Sequence, residues 1–202
     1  MKKCRISVLV SGNGTNLEAI LKSVEEEDIP GEIVVVISNV EDAYALVRAR
    51  NHGVEARWVD PKAFPTRADY DRDLVRILSS KQVDLVVLAG YMLLLGPEVL
   101  RVFPLRVINL HPALLPSFPG THGVADALAY GVKVTGVTVH FVDEGLDTGP
   151  IIMQEAVAVR GDDGLDALLA RIHQVEHRLY PEAVRYFCEG RLRVEGRRVF
   201  ID

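Results

Sequence analysis

The sequence predicts an α/β fold of the doubly wound, Rossmann-like kind, a mostly parallel sheet with helices on both faces and antiparallel additions in the C-terminal half. Three observations carry this. Short β-branched runs alternate with segments whose apolar residues recur at helical spacing through the first half of the chain. One run, Asp84-Leu85-Val86-Val87-Leu88-Ala89, is continuously apolar over strand length, as a strand covered on both faces must be. Beyond residue 104 the rhythm breaks at Pro104, Pro112, Pro116, Pro119 and Pro150, which punctuate shorter strands.

Taken in order, Ile6, Val8 and Val10, with Leu9 between, form the first strand, which stops at Ser11-Gly12-Asn13-Gly14. Leu17, Ile20, Leu21 and Val24 then line one face of a helix. Gly31 opens a second strand over residues 33–37, and Ser38-Asn39 closes it. Residues 43–51 read as a helix ended by Gly53, with extended chain over 54–59. Leu74, Ile77 and Leu78 mark the helix before the apolar run. In the second half a loop rich in His, Pro and Gly replaces the expected strand-to-helix step. Residues 134–142 and 151–159 read as strands, and Leu168, Ile172, Val175 and Leu179 place one long amphipathic helix over 165–187. Residues 191–194, Glu195-Gly196 and 197–201 make a closing hairpin. Without repeats or a long linker, the simplest organisation is a single domain, 1–202, with a phosphate-binding half at 1–103 and a half at 104–202 that supplies the chemistry.

A chain of 202 residues with 49% hydrophobic residues can bury a core without staples. Its 28 acidic and 23 basic residues give a net charge of −5, which offers no global attraction to nucleic acid or to an anionic membrane. Cys4 and Cys188 stand near opposite ends and form no repeated ligand pattern; they read as two buried thiols in a reducing compartment. After the basic Met1-Lys2-Lys3 the apolar stretch breaks at Ser11-Gly12, too early for a signal-peptide core, and nothing reaches membrane-span length. A soluble cytoplasmic protein is expected.

Ser11-Gly12-Asn13-Gly14-Thr15-Asn16 lies between a strand and a helix, where free backbone N–H groups and the helix dipole favour an anion. No Gly-Lys-Ser/Thr follows, and Leu17 stands where a dinucleotide fingerprint needs its third glycine, which disfavours ATP and NAD. The plainer alternative is a tight turn capped by Thr15 or Asn16. In Asn109-Leu110-His111-Pro112 a strand ends on two polar side chains that its period of two puts on one face. An amide donor beside an imidazole can stabilise an oxyanion and move a proton, although a histidine before proline also serves as a satisfied strand end. Downstream, Asp143-Glu144-Gly145-Leu146-Asp147-Thr148-Gly149-Pro150 is a second polar loop, with Gly145 and Gly149 expected to permit unusual backbone angles. Asp147, if folded against His111, would favour the imidazolium; an acidic surface turn is the alternative.

Together these segments, with Ala113-Leu114-Leu115-Pro116 and Phe118-Pro119-Gly120, resemble the formyltransferase family that uses 10-formyltetrahydrofolate. The likeness runs from the first strand to Glu176-His177 and Tyr180-Pro181. Asn-x-His with a distant Asp is shared across the family, whereas the Gly-Asn-Gly-Thr-Asn loop is similar to the branch acting on glycinamide ribonucleotide (GAR). The resemblance implies that Gly14, Thr15 and Asn16 hold the substrate phosphate by backbone amides, with His173 and Glu176 on its glycinamide and ribose side. It maps folate binding onto Arg67, Met92, Leu93, Leu94, Leu95, Asn109, Asp143, Glu144, Gly145, Leu146 and Asp147, and reads 104–202 as the folate-binding and catalytic half to which Arg67 and Met92–Leu95 add from the first. The Met92–Leu95 stretch is apolar enough for a flat pterin, or for core packing; Leu93 stands where some relatives carry a basic residue. His173 and His177, four apart on a helix, lack a third ligand, so no metal is expected.

The implied reaction passes the formyl group of 10-formyltetrahydrofolate to the GAR amine, in the purine (IMP) route. Asn109 and His111 would hold the oxyanion, and His111, tuned by Asp147, would shuttle the proton. The expected partners are these two small molecules, with no nucleic acid and no membrane; a homodimer is left open. Two other readings are a formyltetrahydrofolate hydrolase and a non-catalytic module binding a phosphorylated metabolite. The hydrolases carry an extra N-terminal domain for which a first strand starting near Ile6 leaves no room. A transformylase acting on tRNA would need a further C-terminal domain and a basic surface. The binding module would leave Asn109, His111 and Asp147 unexplained.

Overall fold

The computed structural model describes residues 3–202, so Met1 and Lys2 of the basic N-terminal tripeptide lie outside it. The chain divides into two compact units, one ending at Ile108 and the other running from Asn109 to Asp202. The first holds strands β1 (Cys4–Val10), β2 (Gly31–Ser38), β3 (Ala56–Trp58) and β4 (Leu85–Leu88), with helices α1 (Thr15–Glu25), α2 (Tyr44–Asn51), α3 (Arg67–Ser80) and α4 (Pro97–Val102). Its strands lie in the order β3-β2-β1-β4, and every pairing among them is parallel. Ile6, Val8, Leu9 and Val10 of β1 are wholly buried, and all four residues of β4 are buried. Burial of successive residues requires cover on both faces, because neighbouring side chains of a strand point to opposite sides. Leu17, Ile20 and Leu21 are the buried stripe of α1, as the helical spacing predicts.

Strand β5 (Val107–His111) crosses the division: Val107 and Ile108 are buried in the first unit, and Asn109 opens the second. Beyond it come α5 (Gly123–Tyr130), β6 (Val134–Phe141), β7 (Ile151–Ala158), α6 (Leu165–Cys188), β8 (Leu192–Glu195) and β9 (Arg198–Ile201). Here the order is β6-β7-β9-β8. The β6–β7 and β8–β9 pairs are antiparallel, with a single parallel bridge, Ile151 to Arg198, between β7 and β9. The mixed sheet, parallel first and antiparallel later, is the fold class read from the sequence. Leu168, Ile172, Leu179, Tyr180, Ala183 and Val184 form the buried side of α6, which continues through Pro181.

Three readings need correction. The loop after β5 does not replace a helix: α5 follows it, ending on Gly131 in the left-handed region at φ 81°. Its Ala125, Ala127, Leu128 and Ala129 are strong helix formers, outweighed in the sequence by the surrounding Pro and Gly. Neither Gly145 nor Gly149 adopts a positive φ; they are glycines for lack of space. A Cβ on Gly149 would meet the Phe141 carbonyl oxygen at 1.7 Å. Cys4 and Cys188 are half-buried rather than buried. Among the described residues, no helix is long and apolar enough to cross a membrane.

Candidate functional site

In the first unit the turn after β1 is built for close backbone approach. Gly14 is the N-cap of α1 at φ 78°, and no side-chain hydrogen bond caps the helix at that position. A helix N-terminus without a side-chain cap leaves N–H donors for a ligand. Thr15 and Asn16 form the first turn of α1, half-buried. The Ser11 hydroxyl donates to Asn39 Oδ1 at 2.5 Å and accepts from the Met92 N–H at 2.8 Å. It thereby ties together the chain leaving β1, β2 and β4. This role had no signal in the sequence beyond a serine at a strand end.

Met92 and Leu94 are 61% and 70% exposed, with Leu93 and Leu95 half-buried, so this stretch is not core. The Arg67 guanidinium braces it, contacting Asp71 at 3.3 Å, donating to the Leu94 carbonyl and lying over the Tyr70 ring. Burial raises the Asp71 carboxyl above the ordinary range, against the lowering pull of Arg67. The Tyr70 and Tyr91 hydroxyls share a buried hydrogen bond of 2.6 Å beneath the segment.

In the second unit, Asn109, His111 and Asp147 come together, joined by a residue the sequence reading left without a role, His140. His111 is 2% exposed; its Nδ1 lies 3.5 Å from Asp147 Oδ2, and its Nε2 is 2.7 Å from the Phe118 carbonyl. A carbonyl only accepts, so Nε2 carries a proton. The same logic fixes His140. Its Nδ1 donates to the Phe141 carbonyl at 2.9 Å, which leaves Nε2 to accept the Asn109 Nδ2–H at 3.2 Å. Burial pushes the His140 imidazole down and keeps it neutral, as that acceptor role requires. Asp147 Oδ1 lies 3.7 Å from His140 Nε2, while Oδ2 accepts the Gly120 N–H at 2.7 Å.

Asp147 itself adopts φ 54°, the left-handed conformation that aspartate tolerates better than most side chains. The strained residue of this loop is the carboxylate, not a flanking glycine. Asp143 Oδ1 shapes the turn before it, accepting from the Gly145 N–H at 3.1 Å and the Thr148 hydroxyl at 2.6 Å, while Glu144 and Leu146 point outward exposed. A buried network holds the chain after His111: Thr138 Oγ1 donates to the Ala113 carbonyl and accepts from the Leu115 N–H, at 2.7 and 3.1 Å. Gln154 Nε2 completes it, donating to the Leu115 carbonyl at 2.9 Å.

On α6, Glu176 is 3% exposed and its Oε2 is 2.8 Å from His173 Nδ1. That hydrogen bond raises the His173 imidazole above its ordinary range, whereas burial lowers His177. The two rings stack 6.0 Å apart. Among the described residues no three His, Cys, Asp or Glu side chains are grouped to hold a metal ion.

A parallel α/β unit with a glycine loop, and a strand ending on Asn-x-His beside a carboxylate, define an enzyme of one-carbon group transfer: residues 4–184 match the formyl transferase family, and the chain belongs to it. The resemblance read from the motifs is thus borne out over most of the chain. Among its relatives is the phosphoribosylglycinamide formyltransferase of Escherichia coli K12, 40% identical over 98% of this chain and 93% of that protein. The enzyme of the same name from Bacillus subtilis 168 is 39% identical over 92% and 94%. The crystal structure of glycinamide ribonucleotide transformylase 1 from Symbiobacterium toebii is similar with a TM-score of 0.97 at 54% identity, covering 98% of this chain and 94% of that one.

Proposed function

We propose that this chain transfers the formyl group of 10-formyltetrahydrofolate to the amine of GAR, giving formyl-GAR and tetrahydrofolate for purine (IMP) synthesis in the cytoplasm. The observation that carries the reading is the Asn109–His140 and His111–Asp147 pairing at the ends of β5 and β6. The likeness to enzymes named for this reaction supports the choice of substrates.

The residues divide the work as follows. Asn109 spends one Nδ2–H on His140 and turns the other toward the formyl oxygen as negative charge develops there. His111 is anchored through Nε2 on Phe118, so Nδ1 is the nitrogen that handles the proton. At 3.5 Å from Asp147 Oδ2, Nδ1 makes no short hydrogen bond to it, which leaves its lone pair open to a proton. His111 takes up the proton that the attacking amine loses and returns it to the departing folate nitrogen, with Asp147 as counter-charge. The amine adds to the formyl carbon to give a tetrahedral oxyanion, whose collapse restores the C=O bond and breaks the folate C–N bond, and no covalent enzyme intermediate is needed. The backbone at Gly14, Thr15 and Asn16 holds the phosphate, and His173 and Glu176 meet the glycinamide and ribose. Arg67, Met92, Leu93, Leu94 and Leu95, with Asn109 and the loop of Asp143, Glu144, Gly145, Leu146 and Asp147, take the folate. The exposed apolar side chains of Met92 and Leu94 suit a flat heterocycle that water would otherwise surround. We read the chain as a single formyltransferase domain that binds these two small molecules and neither nucleic acid, membrane nor metal.

The test is absorbance-monitored turnover of 10-formyl-5,8-dideazafolate with GAR, beside folate alone and beside the Asn109→Ala and His111→Ala variants. Amine-dependent deformylation is expected, with each variant down by about a hundredfold or more in kcat while still folded. Release of formate without GAR would instead identify a hydrolase, and binding of both ligands without turnover a non-catalytic module.

A further inference from the structure

The glycine loop takes its shape from α2 rather than from its own residues. The Ala45 N–H donates to the Gly12 carbonyl at 3.1 Å. Gly14 presses so close to the same residue that a Cβ there would stand 2.6 Å from Ala45 Cβ and 2.9 Å from its Cα. One turn further along α2, Arg48 spreads its guanidinium over the loop: Nε donates to the Asn13 carbonyl at 2.9 Å, Nη2 to Asn13 Oδ1 at 2.8 Å, and Nη1 to Glu18 Oε2 at 3.2 Å. The Tyr44 ring lies under the guanidinium at 5.0 Å.

These contacts have a consequence for the loop's donors. In a trans peptide the C=O and N–H point in opposite directions across one rigid plane. Holding the Gly12 carbonyl toward α2 therefore turns the Asn13 N–H away from α2, and holding the Asn13 carbonyl does the same for the Gly14 N–H. Two successive amides aimed to one side form the kind of concavity that binds an anion. Each nitrogen of Arg48 donates to Asn13 or Glu18, which holds its fork against the loop.

We propose that Arg48 is a positioning residue for phosphate recognition, fixing the Asn13–Gly14 peptide so that the Gly14 amide, with those of Thr15 and Asn16, meets the phosphate of the substrate. The inference rests on the reading that this loop takes the phosphate of GAR. A purely structural tie between α1 and α2 predicts instead a loss of stability with no preference among substrates.

Steady-state kinetics of the full chain separates these. Arg48→Met is expected to raise KM for GAR by about tenfold or more, as loss of charge-assisted hydrogen bonds to a binding loop should, with kcat and KM for the formylfolate within about twofold. Glycinamide riboside, which lacks the phosphate, should be a poor substrate for the wild type and no poorer for the variant. Arg48→Lys keeps the charge but cannot span both Asn13 oxygens, so it should recover only part of the loss; it also carries the test should Arg48→Met not fold. Full recovery in Arg48→Lys, an unchanged KM for GAR, or equal losses for GAR and formylfolate would each overturn the proposal. If the wild type used GAR and the riboside equally well, the phosphate reading itself would fall, and Arg48 with it.

Discussion

Among single residues, His140 governs how well Asn109 can work. A neutral imidazole with its Nδ1 proton committed to Phe141 offers one acceptor, and that acceptor selects the orientation of the Asn109 amide. His140→Leu fills the same buried space without it and is expected to lower kcat by about tenfold, the cost of one misoriented donor. In an Asn109→Ala background the same change should cost nothing further, because the group it orients is gone. Independent, multiplying losses in the double-mutant cycle would sink this account. The sequence displayed His140 beside the acidic loop, yet nothing in the pattern distinguished it from a core histidine. Its tautomer depends on a backbone carbonyl and an amide 31 residues away, which only folding supplies.

At the level of elements, α1 and α2 are linked through His52, the C-cap of α2, and this link titrates. His52 Nδ1 meets Glu25 at 2.6 Å and Nε2 meets Glu18 at 3.3 Å, with Arg48 also on Glu18. The hydrogen bond to Glu25 raises the imidazole above its ordinary 6.5, outweighing a smaller lowering from burial. A folded-state value above the unfolded one means that the link stabilises fully below pH 6.5 and fades as pH climbs through the folded value. Urea unfolding of wild type and His52→Asn should therefore show a wild-type advantage at about pH 6 that shrinks by about pH 9. A constant difference would assign the stabilisation to packing instead. None of this was legible beforehand: residues 43–51 gave the helix, but not which face of α1 it meets. The opposite held for α5, where local propensity favoured a helix and the nearby Pro and Gly obscured it.

For the whole molecule, substrate binding and folding are linked. A ligand that binds only the folded chain stabilises it by about 2.7 kcal/mol at a hundred times its Kd. GAR at that concentration should raise the unfolding free energy by that amount, read as a higher urea midpoint, and glycinamide riboside at the same concentration should raise it far less. Equal shifts would show that the phosphate contributes no binding energy. The sequence by itself determined the α/β class, the parallel-then-antiparallel order and the glycine loop, because periodicity and turn chemistry are local properties written residue by residue, and its likeness to the formyltransferases singled out Asn109, His111 and Asp147. Tertiary structure alone decided that Asp147 lies 3.5 Å from His111, that His140 holds Asn109, and that Arg48 reaches back to Asn13. Hydrogen-bond direction and burial of charge depend on groups brought together from distant parts of the chain, and a linear pattern carries no record of which of them will meet.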